Sequence, residues 1–308
     1  MILCLSGGTG GAKILDGLAQ VAGQSHLTAI VNTGDDADFH GLRVCPDLDI
    51  CTYTLAGVVD ERGWGFAADT FRCIEGLATY GRDAWFGIGD RDLATHLHRT
   101  LMLRDGATLT AVTADICSHL GVTARLLPMS DDDIRTIIHT TTGPKAFQEY
   151  LVRDGAREEI DRIELAAAAG AQAAPGVIDA IAAAESIVIA PSSPVVSIGT
   201  ILAVPGVRPA LAARRDRVIA ISPIIGTRPV EGPADRFLAG VGETECSAVV
   251  MARLYADVAA TFLIHDSESP ATTDAVAASG MRPVQRDILM DDRAGRARLA
   301  GDALEALR

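Results

Sequence analysis

The chain opens on an apolar run, Met1-Ile-Leu-Cys-Leu5, which stops at Ser6-Gly7-Gly8-Thr9-Gly10-Gly11-Ala12-Lys13 and resumes as an amphipathic stretch. A strand, a glycine turn and a helix N-terminus in that order define a βα unit, and the turn presents backbone N–H groups to an anion. The alternation continues along the chain. It predicts strands at Met1–Leu5, Leu27–Val31, Trp85–Ile88, Arg125–Leu127, Ser186–Ala190, Arg217–Ile221 and Thr261–Ile264, separated by Ala/Leu-rich helical text. Such spacing gives an α/β, Rossmann-like fold with a mostly parallel sheet and helices on both faces. Polar loops follow these strands: Asn-Thr-Gly-Asp-Asp after Val31, Gly-Asp-Arg-Asp after Ile88, Pro-Ser-Ser-Pro after Ala190. In open α/β sheets ligands bind at that edge. Two regions break the pattern. A polar, β-branched segment at about 130–165 predicts a small hairpin insert, and the charged text from Asp292 to Arg308 predicts a helix covering an edge. The whole, residues 1–308, reads as one domain carrying that insert.

The formal net charge is −13 with no Lys/Arg run, so a general nucleic-acid surface is excluded. Six cysteines are scattered without a Cys-x-x-Cys pair, as expected of free thiols in a reducing cytoplasm. No apolar run is long enough to span a bilayer, which with the thiols predicts a soluble, cytoplasmic protein.

The glycine turn approaches two fingerprints and satisfies neither. As a dinucleotide loop it has Lys13 where the third glycine belongs; as a P-loop it has Ala12-Lys13-Ile14 in place of Gly-Lys-Ser/Thr. Asp35, Asp36, Asp47 and Asp49 follow in the next loop and would repel a phosphate at the turn. A divalent cation resolves the conflict, since Mg²⁺ is usually held by one or two carboxylates together with phosphate oxygens. The competing readings are a tight βα turn without a ligand and a Rossmann enzyme whose acid bonds a ribose, although one ribose needs one acid. His96 and His98, two apart on a helix, face different ways and read as ordinary helix residues. Arg91 follows a predicted strand at the ligand edge. Ser192, Ser193, Ser197 and Gly199 form a hydroxyl-rich loop that can serve a phosphate or simply cap a helix, and Met129-Ser130-Asp131-Asp132 reads equally as a turn or a functional loop. No Gly-x-Ser-x-Gly elbow is present, so no covalent nucleophile is suggested.

Taken together, the segments SGGTGGAK, NTGDD, HGLRVCPDLD, RGWG, GDRDLATHL, LLPMSDD, FQEYLV, PVVSIG, LAVPGVR, SPIIG and GPAD resemble the 2-phospho-L-lactate transferase family of coenzyme F-420 biosynthesis, over almost the whole chain. Members transfer a phospho-acyl unit from a guanosine diphosphate-activated donor to the terminal hydroxyl of the deazaflavin Fo and release GMP. The donor carries lactate in archaea and enolpyruvyl or phosphoglyceryl groups in bacterial relatives. The resemblance implies that Asp35 and Asp47 hold Mg²⁺ and that Asp49 and Arg91 lie at the Fo site. It places Gly8, Thr9, Gly10, Asn32, Ser192, Ser193, Ser197 and Gly199 on the substrates, and a homodimer is expected. Asp35, Asp47 and Asp49 form the catalytic set, with Asp49 as the candidate proton acceptor and Met129, Tyr53 and Trp64 as candidates for the wall against the Fo ring. Ser193 stands where the family more often has Asn, and Thr200 where it often has Pro. Two other readings stay open: a nucleotide-sugar-binding regulator of the gluconeogenesis-factor type, disfavoured by the PDLD and GDRD blocks, and a nicotinamide-dependent oxidoreductase, disfavoured by the broken glycine fingerprint.

Overall fold

The computed structural model describes residues 1–308. Its centre is a seven-stranded parallel sheet in the order Arg282–Arg286, Thr261–His265, Val218–Ile221, Ser186–Ile189, Ile2–Ser6, Leu27–Val31, Arg125–Pro128. Side chains alternate across a strand, and the two faces of Ile2–Ser6 feed two separate cores. Leu3 and Leu5 enter one apolar cluster with Ile187 and Ile189, while Cys4 enters another with Val31 and Val188. Both faces are therefore sealed, which is why Leu27–Val31 is buried at all five positions and reads as a continuous apolar run.

The first helix, Gly8–Ala22, leads from the central strand and is covered by the last, Arg293–Ala306. Close approach depends on Gly17, where a Cβ would stand 2.1 Å from the Arg296 carbonyl oxygen. Neighbouring Asp16 accepts from Arg296 Nη1 at 3.1 Å. The C-terminal helix thus covers the first helix and also reaches the edge strand, where Arg282 donates to the Ala306 carbonyl and Arg286 pairs with Asp302.

Three sequence expectations change. Trp85–Ile88 forms no strand; Phe86 stacks on Phe39 at a centroid separation of 3.9 Å and Trp85 meets Phe39 edge-on. The apolar character of that segment serves a small cluster around Val44, Ile74 and Ile88 instead of the sheet. Conversely, Arg282–Arg286 is a strand that its polar text concealed, because it pairs on one side only, with Thr261–His265. The insert is more than a hairpin. Gly143–Ala146, Arg135–Thr140 and Ile160–Ala166 make a three-stranded antiparallel sheet, and a π-helical turn, Glu149–Arg153, follows its second hairpin strand. Phe147 and Tyr150 pack on Phe237, tying the insert to the helix Ala234–Ala239 beside the ligand edge. No helix of the fold is long and apolar enough to cross a membrane.

Candidate active site

The central strand Ile2–Ser6 has Leu27–Val31 on one side and Ser186–Ile189 on the other, so the chain leaves it in both directions and the carboxyl-end loops part there. The glycine turn occupies this point. Gly7 is extended (φ −164°), but a Cβ on it would stand 2.8 Å from Asp47 Oδ2 and 2.8 Å from Ser197 Cβ. Gly8 takes φ +63°, a conformation that suits glycine. A Cβ on Gly10 would lie 2.5 Å from the Pro191 carbonyl oxygen, and Ser192 Oγ donates to the Gly7 carbonyl at 2.6 Å. The turn and the Pro191–Ser197 loop are therefore locked to each other across the fork.

The acidic loop is built in two steps. Ala37–Phe39 and Leu42–Val44 pair as a hairpin closed by His40 and Gly41, both at positive φ, and Pro46 then starts the helix Pro46–Leu55. Asp47 and Asp49 lie in the first turn of that helix, where its dipole favours negative charge. Asn32, fully buried, sets the geometry of Asp47. Its Oδ1 accepts from the Gly34 N–H at 2.8 Å and the Thr200 hydroxyl at 2.6 Å, which leaves Nδ2 to donate to Asp47 Oδ2 at 2.8 Å. Asp35 faces the same space with its Oδ1 buried and unpartnered. Burial, then the proximity of Asp47, holds the Asp35 carboxyl well above the usual range. Burial also raises Asp47, to about 6, against the lowering effect of the Asn32 amide and the Gly8 backbone N–H. Two buried carboxylates, one with an orphaned oxygen, facing a turn of N–H donors fit a divalent cation that would complete its shell from phosphate oxygens.

A second polar group lies beside the first. Arg99 is 2% exposed and grips Asp49 with both Nη atoms, and its Nη1 also lies 3.1 Å from His96 Nδ1. Burial opposes the guanidinium charge, but Asp49 outweighs it and the Arg99 pKa is raised. His96 Nε2 stands 3.2 Å from Asp92 Oδ1, which accepts the Tyr53 hydroxyl at 2.7 Å. Burial works against the Asp92 charge, yet the His96 and Tyr53 contacts win and its pKa is lowered.

Both groups open on one cavity of about 440 Å³. At one end are Gly7, Gly8, Thr9, Gly10, Asp35, Asp47, Ser192, Ser193 and Ser197; at its sides are Asp49, Asp92 and His96, with an apolar wall of Tyr53, Trp64, Phe86, Phe147, Leu151 and Phe237. No lysine or arginine lines it; Lys13, behind the turn, is paired with Glu231 on the rim. Several expected residues lie off this wall. Asn32 acts on Asp47 from beneath, Gly199 packs against the Pro194 carbonyl, and Met129 is sealed in the core. Arg91 is exposed, with its guanidinium 4.8 Å from the Phe66 ring centroid and Nη1 on the Ala67 carbonyl, so it does not reach the cavity. Asp49, the expected proton acceptor, has both oxygens held by Arg99. Asp92, His96 and Arg99 escaped the sequence reading. The signal was their spacing, i, i+4 and i+7, which sets all three on one face of the helix Asp90–Arg104.

Comparison with known proteins shows the family. The model of the 2-phospho-L-lactate transferase CofD family matches residues 2–302. A phosphoenolpyruvate transferase of Streptomyces griseus is 45% identical over 99% of this chain and 97% of its own length, and those of Nocardia farcinica and Mycobacterium avium are 42% and 46% identical over 99% and 82% of this chain and 94% and 83% of theirs. A crystal structure of a UPF0052 family member from Bacillus halodurans superposes with a TM-score of 0.65 at 18% identity, covering 98% of both chains, a likeness of fold. A glycine turn facing buried carboxylates, in a sequence this close to named transferases, makes the chain a member of the 2-phospho-L-lactate transferase CofD family, and a transferase.

Proposed function

We propose that this protein moves a phospho-acyl group from a guanosine diphosphate-linked donor to the terminal hydroxyl of Fo in coenzyme F-420 biosynthesis, and that the acyl group is enolpyruvyl. One observation carries the reading: a single cavity joins a phosphate-suited turn, backed by two buried carboxylates, to a wall that includes Tyr53, Trp64 and Phe86. The enolpyruvyl choice rests on the names of the relatives at 42–46% identity. The homodimer belongs to the same reading and is checked by mass in solution.

In this reading the acceptor hydroxyl oxygen forms a bond to the outer phosphorus of the donor, the phosphoanhydride bond breaks, GMP leaves with the bridging oxygen, and the hydroxyl proton passes to that departing phosphate. Asp35 and Asp47 would hold Mg²⁺, which when bound neutralises charge on the diphosphate. The N–H groups at the start of Gly8–Ala22 and the hydroxyls of Ser193 and Ser197 orient the phosphates, while Ser192, bonded to the Gly7 carbonyl, holds the turn in place. Asn32 keeps the Asp47 carboxylate turned and ionised. Tyr53, Trp64 and Phe86 form the wall for the ring and exclude water from the transferring group. Incubating the protein with Fo, guanosine diphosphate-linked enolpyruvate and Mg²⁺ should yield GMP and a phosphoenolpyruvyl-Fo product in equal amounts. Binding of the donor nucleotide without GMP formation would refute the transfer.

A further inference from the structure

His96 is 1% exposed, and its ring forms part of the cavity wall. The Arg99 guanidinium can only donate, so at 3.1 Å from Nδ1 it fixes that nitrogen as an acceptor and puts the ring proton on Nε2. Nε2 then has no acceptor in line with it. Asp92 Oδ1 lies 3.2 Å away but out of line, and Nε2 is a buried polar atom without a hydrogen-bond partner. Nearly all buried donors in native proteins are satisfied, so one left without a partner in a residue of the cavity wall calls for a group that supplies the missing acceptor. Beside this donor stands an acceptor: Asp92, whose Oδ1 takes one bond from Tyr53 and whose carboxylate retains further lone pairs.

The ligand group must match both. A phosphate or carboxylate would meet His96 but be repelled by Asp92 and Asp49; a carbonyl would leave Asp92 unused; an amine would leave His96 unused. A hydroxyl accepts from Nε2–H and donates to the carboxylate at once. We propose that His96 and Asp92 together bind a hydroxyl on the side chain of the acceptor substrate, making both of them substrate-binding residues. This rests on the reading of Fo, a ring bearing a polyhydroxylated chain, as acceptor. His96 acts here as a neutral donor, since its second nitrogen is committed to Arg99, and it takes no proton from the substrate.

The test is fluorescence titration of Fo, and of a deazaflavin in which a methyl group replaces the hydroxylated chain, against the wild type, His96→Ala, His96→Gln and Asp92→Asn. GDP affinity in the presence of Mg²⁺ serves as the measure of folded, competent site. His96→Ala should weaken Fo binding by about 10- to 100-fold, the cost of an unmade buried hydrogen bond, and leave the methyl analogue within about twofold. His96→Gln, whose amide N–H can stand near the Nε2 position, should recover most of the loss, and Asp92→Asn should share the selectivity for Fo over the analogue. Equal losses for Fo and the analogue would mean that His96 supports the ring wall or the fold, and would overturn the assignment. Unchanged Fo affinity in His96→Ala would overturn it too. A wild type that binds GDP but neither deazaflavin would refute the acceptor itself, and the assignment with it.

Discussion

Gly7→Ala isolates the point where the glycine turn meets Asp47. Gly7 is extended, so alanine can adopt its backbone without strain, and the whole effect must come from one methyl group. That methyl would stand 2.8 Å from Asp47 Oδ2, 2.8 Å from Ser197 Cβ and 3.1 Å from Asn32 Cβ, whereas carbon contacts are optimal at about 3.5–4.0 Å. The three neighbours belong to different elements and all are buried, so they cannot yield together. Overpacking of this kind costs about 1–3 kcal/mol, which for a chain of this length lowers Tm by about 2–5 °C. The functional loss should be larger than that stability loss suggests. Relief comes most easily through the Asp47 carboxylate, and a displacement of about 1 Å at a reacting centre can cost about 10²-fold in rate. Gly8→Ala is the control: its Cβ meets nothing within 4 Å, but its φ of +63° makes alanine strained by about 1–2 kcal/mol. The assay is GMP formation as a function of Mg²⁺ concentration, beside thermal unfolding. Gly7→Ala should require more Mg²⁺ for half-maximal rate; Gly8→Ala should lose similar stability with a smaller change in that requirement. Wild-type rate and Mg²⁺ dependence in Gly7→Ala would refute the view that the turn positions Asp47.

Asp35→Asn and Asp47→Asn should each lower kcat by at least about 10²-fold, the scale of one strong transition-state contact, and Mg²⁺ with GDP should raise the Tm of these variants less than that of the wild type; full activity in chelator would refute the cation. Arg99→Met leaves Asp49 buried without its partner and should cost about 3–5 kcal/mol in urea unfolding, a loss that a second change, Asp49→Asn, should partly restore. Arg91→Ala removes an exposed cation–π contact worth about 0.5–1 kcal/mol, so Tm should fall slightly while Fo affinity stays constant; a tenfold loss of Fo affinity would return Arg91 to the substrate.

What could be read from the sequence follows from how local each determinant is. The central strands were legible because burial on both faces leaves an unbroken apolar run, and the turn after Leu5 because its glycines stand where backbone meets carboxylate and backbone meets carbonyl. The strand Arg282–Arg286 was not, since an edge strand needs no apolar character on its open side, and Trp85–Ile88 misled because aromatic residues serve a local cluster as well as a sheet. The site divides in the same way. Asp35 and Asp47 announce themselves by charge beside glycine, but Asn32 looks like a ligand contact until its four hydrogen bonds, to Asp47, Gly34, Thr200 and the Val196 carbonyl, show that none is left for one. His96 was hidden for the opposite reason. A histidine on a helix has no meaning from spacing to His98; it acquires one only when folding brings Asp49 and Tyr53, 50 and 39 residues away, against Arg99 and Asp92. The guanidinium then decides which ring nitrogen carries the proton, and the cavity decides what that proton can meet. The tautomer of His96 thus depends on a neighbour three residues along its own helix being held in place by Asp49 from another, which is where a site built from a buried network departs from one built on a motif.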